Sequence, residues 1–239
     1  MHLNTLLLFK HYALPYFRPH MKVLEIGPEK PPSSLQQMAR SFSPDWETAD
    51  VSSECRPTHL MKNEYQIPLP DGLYDLVVAC NVLEHVRKTW LWIKELTRVC
   101  KSGGLVITIT PATWPFHEYP VDCWRVFPEA LRTLYQESGL DMLFCTCESL
   151  ELIPEARLSR PHPSVGDPAP TLPPSSLGLK IEDLTPANRH RSGYKNFYPG
   201  MGNPCGPFKL WIKKCLGWPT STSFDTLAIG RKPLPGKTA

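Results

Sequence analysis

A chain of 239 residues, 41% hydrophobic and 21% charged, carries enough apolar side chain to bury the core of one enlarged domain or two small ones. Its net charge of only +3, with no run of Lys or Arg, speaks against the clustered basic face of a nucleic-acid binder. No apolar stretch approaches the roughly 20 residues of a membrane span, so neither nucleic acid nor membrane is an expected partner.

The eight cysteines form no CxxC pair and match no zinc-site spacing. Cys80 and Cys100 stand inside apolar runs, where a free thiol behaves as a small hydrophobe. That usage predicts a reduced, cytoplasmic protein. At the amino terminus, Leu3 to Phe9 is briefly apolar without a basic flank or a small-residue cleavage site. It predicts a short helix on the domain edge, within a helical segment of residues 1–20, with a membrane-surface helix as the alternative.

The run Lys22-Val-Leu-Glu-Ile-Gly27, followed by Pro28, predicts a buried strand entering a tight turn. A helix over 33–42 follows, with Leu35, Met38 and Phe42 at helical spacing. Short strands are expected at 46–50 and 59–62. The run Tyr74-Asp-Leu-Val-Val-Ala-Cys80 has the continuous apolar character of a parallel strand covered on both faces. A helix over 90–100 presents Trp92, Leu96, Val99 and Cys100 on one face, and Lys101-Ser-Gly-Gly104 is expected to cap it through a left-handed glycine. Residues 105–110 form the next strand. Pro128 opens a helix reaching 138, and 142–150 is a strand.

Between 154 and 208 the character changes, with 11 of the 27 prolines and no sustained period. This is too long for an ordinary connection and is expected to be a lid, a binding loop or an insertion. Within it, Tyr194, Phe197 and Tyr198 offer aromatic contacts, and Arg189, His190 and Arg191 form a small basic cluster. A helix over 209–216 and a strand over 224–230 complete the chain. Residues 21–239 therefore form one domain interrupted by the Pro-rich segment. The alternation of strands and helices predicts an α/β doubly wound sheet.

In such a sheet, ligands bind beyond the carboxyl ends of the strands at the topological switch point. Three loops matter there: Gly27-Pro-Glu-Lys30, the loop after Asp50, and Asn81-Val-Leu-Glu-His85. The GxGxxG that cradles a dinucleotide pyrophosphate is absent, and Pro28 removes a backbone donor. A nicotinamide or flavin cofactor is disfavoured. Asp50 is placed to accept hydrogen bonds from a ribose.

Four motifs in order, VLEIGP, ETADV, IPLPDGLYDLVVACNVLEHV and KSGGLVITITP, together resemble class I S-adenosyl-L-methionine (SAM)-dependent methyltransferases of the type 11 kind. The resemblance covers residues 21–153 and resumes at FDTLAIGRK. It implies a Rossmann-like, seven-stranded sheet, mostly parallel with an antiparallel last strand. It also implies SAM as cofactor. Gly27 and Pro28 would cradle its methionine part with support from Glu25. Asp50 and Val51 would hold the ribose, and Cys80 with Asn81 would line the methionine end. The adenine position is usually an Asp, and Asn63 with Glu64 stands there in this chain. Glu29-Lys30 replaces the further glycines of many members, which either marks a different turn or weakens cofactor binding.

The segment Trp114-Pro-Phe-His-Glu-Tyr-Pro-Val-Asp-Cys-Trp-Arg125 resembles a bacterial subgroup with a PVDxWR-like stretch. It places His117, Glu118, Asp122 and Arg125 among aromatics, where an acceptor must approach the methyl group. His117, Asp122 and His85 are candidate catalytic residues, with His117 or Asp122 as a general base. Trp114, Trp124 and Arg125 are candidate substrate contacts. The plainer alternative is an Asp122–Arg125 ion pair that pins the loop. Spacing gives no support to a metal held by His85, His117 and Asp122. The expected function is methyl transfer to an O or N atom of a small or medium-sized molecule. The alternatives are a non-catalytic relative that binds SAM or a partner, and a nucleic-acid methyltransferase, for which no NPPY-like tetrad is visible.

Overall fold

The computed structural model describes residues 3–117, 120–152 and 223–236. The Pro-rich segment 154–208, the helix expected at 209–216 and Glu118 lie outside the described residues.

Seven strands form a single sheet: β1 (Lys22–Ile26), β2 (Asp45–Asp50), β3 (His59–Leu60), β4 (Tyr74–Cys80), β5 (Cys100–Thr113), β6 (Asp141–Glu148) and β7 (Phe224–Arg231). Their order is β3-β2-β1-β4-β5-β7-β6. β1 pairs in parallel with β2 and β4, β4 with β5, and β2 with β3, whereas β7 runs antiparallel to both β5 and β6. This is the mostly parallel, doubly wound sheet expected, with its last strand inserted in the opposite sense.

β4 shows why an apolar run reads as a central strand. Val77 and Ala79 enter one core layer, with Trp92, Ile93 and Leu96 of helix α3 (Thr89–Val99) and Leu131 and Tyr135 of helix α4 (Pro128–Glu137). Leu76, Val78 and Cys80 enter the other, with Leu8 and Phe9 of the amino-terminal segment and Leu35 and Ala39 of helix α2 (Ser34–Ala39). Side chains alternate across a strand, so cover on both faces requires an unbroken apolar sequence. The amino-terminal helix α1 (Leu3–Leu8) runs into a wider π turn at Phe9–Ala13, and buried Asn4 anchors it. The Asn4 amide donates to the Asp225 carboxylate (2.9 Å) and the Glu148 carbonyl (3.0 Å), and its oxygen accepts from the Leu150 amide (2.8 Å). No helix among the described residues is long and apolar enough to cross a membrane.

Two details differ from the expectation. Helix α2 is shorter, closing in a 3-10 turn at Arg40–Phe42, with Ser33 as its N-cap accepting from the Gln36 amide (3.1 Å). The Lys101–Gly104 stretch does not cap α3. The helix ends at Val99, and β5 begins at once through a bulge opposite Tyr74 and Leu76. The Lys232 ammonium takes over the capping, donating to the carbonyls of Thr97 (2.9 Å), Arg98 (3.3 Å) and Cys100 (2.8 Å). A cation there also complements the negative end of the helix dipole. Replacement Lys232→Met is expected to lower unfolding free energy by roughly 1–3 kcal/mol, the range for hydrogen bonds from a charged donor, read from urea denaturation.

At the same, amino-terminal end of the parallel strands, Glu47 joins β1, β2, β3 and β4. Its carboxylate pairs with Lys22 (2.8 Å) and His59 and accepts from the Tyr74 hydroxyl (2.7 Å). Partial burial raises its pKa, but the bonds from Lys22, His59 and Tyr74 outweigh it and hold the carboxyl at about 2, below its ordinary 4.5. A depressed carboxylate stabilises the fold above its unfolded pKa and loses that contribution on acidification. The stability gap between the native protein and Glu47→Gln should therefore be constant above about pH 5. It should close as pH falls from 4.5 toward 2, in urea midpoints measured across that window.

Candidate functional site

The strand order reverses between β1 and β4, and a cavity of about 580 Å³ lies at the carboxyl ends of β1, β2 and β4. Ile26, Gly27 and Pro28 supply one wall, Asp50 to Ser52 a second, and Asn81, Val82 and His85 a third. Met61 and Trp92 close it with apolar surface, and Glu64 and Arg87 stand at the rim.

Both turns that open this cavity leave their strands through left-handed residues. Gly27 has φ +66° and Asn81 has φ +56°. A Cβ on Gly27 would come within 2.4 Å of the Val82 side chain, so glycine permits both the turn and the close approach of the two loops. Glu29 and Lys30 do not line the cavity. Glu29 instead accepts a hydrogen bond from the Ser34 hydroxyl (2.8 Å) at the start of α2. The altered turn thus leaves the space beyond Gly27 open.

Asn81 is the least satisfied polar side chain on the wall. Its amide nitrogen and oxygen are both buried and have no partner among the described residues. A buried amide without partners costs free energy that a bound polar ligand recovers. The left-handed backbone aims it there. Asp50 is partly committed: one carboxylate oxygen accepts from the Ser52 amide (2.7 Å) and the other from the Cys55 thiol (3.6 Å). A carboxylate retains further acceptor capacity beyond two such bonds.

The other expected cofactor residues fall into two groups. Val51 and Glu64 line the cavity with Gly27, Pro28, Asp50 and Asn81. Glu25, Cys80 and Asn63 do not. Buried Glu25 accepts from Ser33 Oγ (2.6 Å) and Trp46 Nε1 (3.0 Å), behind the first turn. Burial pushes its carboxyl up to about 7, against those two bonds. Cys80 is buried at the end of β4, and Asn63 spends its side chain on the Tyr65 amide (2.9 Å) and Gln66.

The segment 114–125 folds over the turn after β4. The Cys123 and Trp124 amides donate to the Glu84 carbonyl (2.8 and 3.3 Å), and Trp124 Nε1 donates to the Val86 carbonyl (2.8 Å). Arg125 forms a bidentate pair with Asp122 and donates further to the carbonyls of Trp114 (3.0 Å) and Pro115 (3.2 Å). Arg125, aided by the His117 amide, holds the Asp122 carboxyl at about 2 despite partial burial. This is the loop-pinning arrangement that was the plainer reading of the pair. Trp114 and Trp124 stand in the same segment, outside the cavity wall.

The two histidines converge: His85 and His117 rings meet edge to face with centroids 5.1 Å apart. Glu84, beside them, is the residue that sequence reasoning missed. In sequence it resembles an ordinary acid in an exposed turn, yet its side chain is fully buried. One carboxylate oxygen accepts from Thr110 Oγ1 (3.1 Å), and the other has no hydrogen-bond partner among the described residues. Burial pushes its carboxyl up to about 7, with the Thr110 bond acting against it.

If Arg125 is what holds this segment closed, Arg125→Ala leaves Asp122 unpaired and detaches the loop from two carbonyls. The expected result is a clear rise in limited proteolysis within 114–125. The sheet core should be retained, with far-UV circular dichroism unchanged.

Residues 31–108 match the family model described as a methyltransferase domain. Over 52 residues the chain is 38% identical to an uncharacterized methyltransferase of Mycobacteroides abscessus, spanning 22% of this chain and 20% of that protein. Among solved structures, a SAM-dependent methyltransferase from Archaeoglobus fulgidus has a TM-score of 0.57 at 14% identity, over 95% of this chain and 92% of that one. Phosphoethanolamine N-methyltransferase 2 of Haemonchus contortus, solved with SAM, gives 0.51 at 14% identity over 96% of this chain and 52% of that one. The cyclase SpnF gives 0.50 at 14% identity over 96% and 80%. At such identities the likeness is one of fold.

Proposed function

We propose that this chain is a class I, SAM-dependent methyltransferase that methylates an O or N atom of a small or medium-sized molecule, a reading supported by the fold and by the matched segment 31–108. The observation that carries this reading is the paired orphan of Asn81, a donor and an acceptor without partners on the wall of the switch-point cavity. The ammonium and carboxylate of the methionine end offer the complementary donor and acceptor. Gly27 admits close backbone approach beside it, and Asp50 has capacity for ribose hydroxyls. Met61, Val51 and Trp92 supply apolar and aromatic surface suited to an adenine. Glu64 lines the cavity, whereas Asn63 does not and spends its side chain locally.

When bound, SAM supplies a methyl group on a sulfonium, a leaving group that needs no activation. What remains for the protein is to hold the acceptor in line and to exclude water. The segment 114–125, pinned by Asp122–Arg125, reaches the cavity through Pro120, which lines it, and through His117, whose ring meets that of His85. Asp122 is ill suited as a base, because Arg125 occupies both of its oxygens. His85 lines the cavity and donates from Nδ1 to the Val121 carbonyl, which leaves the Nε2 lone pair available.

Isothermal calorimetry with SAM and S-adenosylhomocysteine tests the reading. One-to-one binding is expected, and no detectable binding by folded protein would overturn it. Asn81→Ala should weaken SAM at least tenfold, about 1.4 kcal/mol, with unchanged circular dichroism. Asp50→Ala should act in the same direction.

A further inference from the structure

Three potential ligand groups stand together beside the cavity, of which His85 lines it. One atom each from Glu84, His85 and His117 falls within a set whose members all lie within 4.8 Å of one another. The contact between His85 Nε2 and Glu84 Oε1 is 3.8 Å. Ligand atoms around a four-coordinate ion with bonds of ~2.0–2.2 Å sit roughly 3.4 Å apart, so small side-chain rotations suffice to close the set.

The chemistry of each group points the same way. A carbonyl oxygen can only accept, so the His85 Nδ1 facing the Val121 carbonyl must carry the proton. In the neutral ring Nε2 then carries the lone pair, on the side of Glu84. His117 repeats the arrangement. Its Nδ1 faces the Pro115 carbonyl (3.3 Å) and the Asp122 carboxylate (3.4 Å), both acceptors, so in the neutral ring Nε2 carries the lone pair. An imidazole whose other nitrogen donates to a carbonyl or carboxylate is the usual outer-shell support of a metal ligand. Asp122 is in turn fixed by Arg125. The independent observation is Glu84 itself: a fully buried carboxylate whose Oε1, the atom on the His85 side, has no hydrogen-bond partner among the described residues.

We propose that Glu84, His85 and His117 form a binding site for one divalent transition-metal ion of the zinc or iron class. Two imidazoles and one carboxylate suit such ions better than magnesium or calcium, which prefer oxygen ligands throughout. Three protein ligands leave a position open, and His85 lines the cavity, so that position faces the space where an acceptor enters. An acceptor hydroxyl held there would have its pKa lowered by the ion, the role otherwise given to a base. That last step rests on the methyl-transfer reading, whereas metal binding does not.

The test is a titration of metal-stripped full-length protein with Co²⁺ alone, followed by Zn²⁺, without SAM. The expected result is one equivalent of Co²⁺ with the visible absorption of a nitrogen and oxygen site, displaced by Zn²⁺. His117→Ala, at the half-exposed rim, should weaken binding at least a hundredfold, and Glu84→Gln, which conserves shape, should do likewise. Cys123→Ser, which removes an exposed thiol from the same segment as His117, should bind as the native protein does. The proposal is overturned by absence of stoichiometric binding, by affinity unchanged in folded His117→Ala, or by a thiolate charge-transfer band lost in Cys123→Ser. Calorimetry with SAM separates the two readings: metal binding without SAM binding would retain the ion site and remove only the methyl-transfer role.

Discussion

Glu84 is the point on which the carboxyl-terminal edge of the sheet is organised. Its backbone carbonyl receives the Cys123 and Trp124 amides, its carboxylate receives the Thr110 hydroxyl of β5, and its neighbours Leu83 and Val86 enter the core beside Trp92. One residue thereby joins the turn after β4, the next strand and the segment that borders the cavity. Its charge is the costly part. Burying a carboxylate with one oxygen unpartnered is unfavourable by several kcal/mol in general, and a group so placed tends to take up a proton or a cation instead. The upward displacement of the Glu84 carboxyl to about 7 is the expression of that cost.

The cavity exists because of how the chain leaves the sheet on either side of the switch point. β1 hands over to Gly27 and β4 to Asn81, both in the left-handed region, so both loops bend away from the strand direction instead of continuing it. For Gly27 the conformation carries no side-chain penalty, and the missing Cβ is the room that Val82 occupies. For Asn81 the conformation is tolerated because a short polar side chain can adopt it, and its amide is left facing the space between the loops. Backbone strain and unpartnered hydrogen-bonding capacity therefore coincide at one residue, as expected where a ligand completes the structure.

The sheet was largely legible because its central strands are buried on both faces. Val23 to Ile26, Leu76 to Cys80 and Leu105 to Ile109 read as apolar runs for that reason. The Asp122–Arg125 pair was legible as well, since three positions separate its members. Where reading along the chain fell short, the deciding partner was remote. Lys101–Gly104 looks like a helix stop, but the cap of α3 comes from Lys232, 135 positions beyond the Thr97 carbonyl it binds. Asn63 occupies the expected cofactor position by count, yet its side chain closes its own turn, and no pattern announces that choice. Glu84 was missed because nothing local marks an acid after a strand as buried. Only the arrival of Thr110 and the 114–125 segment makes it so.

These remote contacts also divide the chemistry of the rim. Asp122 and Glu84 are both carboxylates near His117, and their surroundings drive them apart. Arg125 supplies Asp122 with two charge-assisted hydrogen bonds and keeps it ionised at about 2, so its charge is already neutralised and its oxygens are engaged. Among the described residues no Arg or Lys pairs with Glu84, and Thr110 satisfies only one of its oxygens. Two carboxylates pushed in opposite directions within one site have separable roles. Asp122 orients: through the His117 amide and ring it fixes the position of an imidazole it does not compete with. Glu84 keeps the uncommitted oxygen, beside a histidine that keeps the uncommitted lone pair. The uncommitted oxygen thus lies on the turn after β4, and the Asp122–Arg125 pair holds the 114–125 segment, with His117, against it.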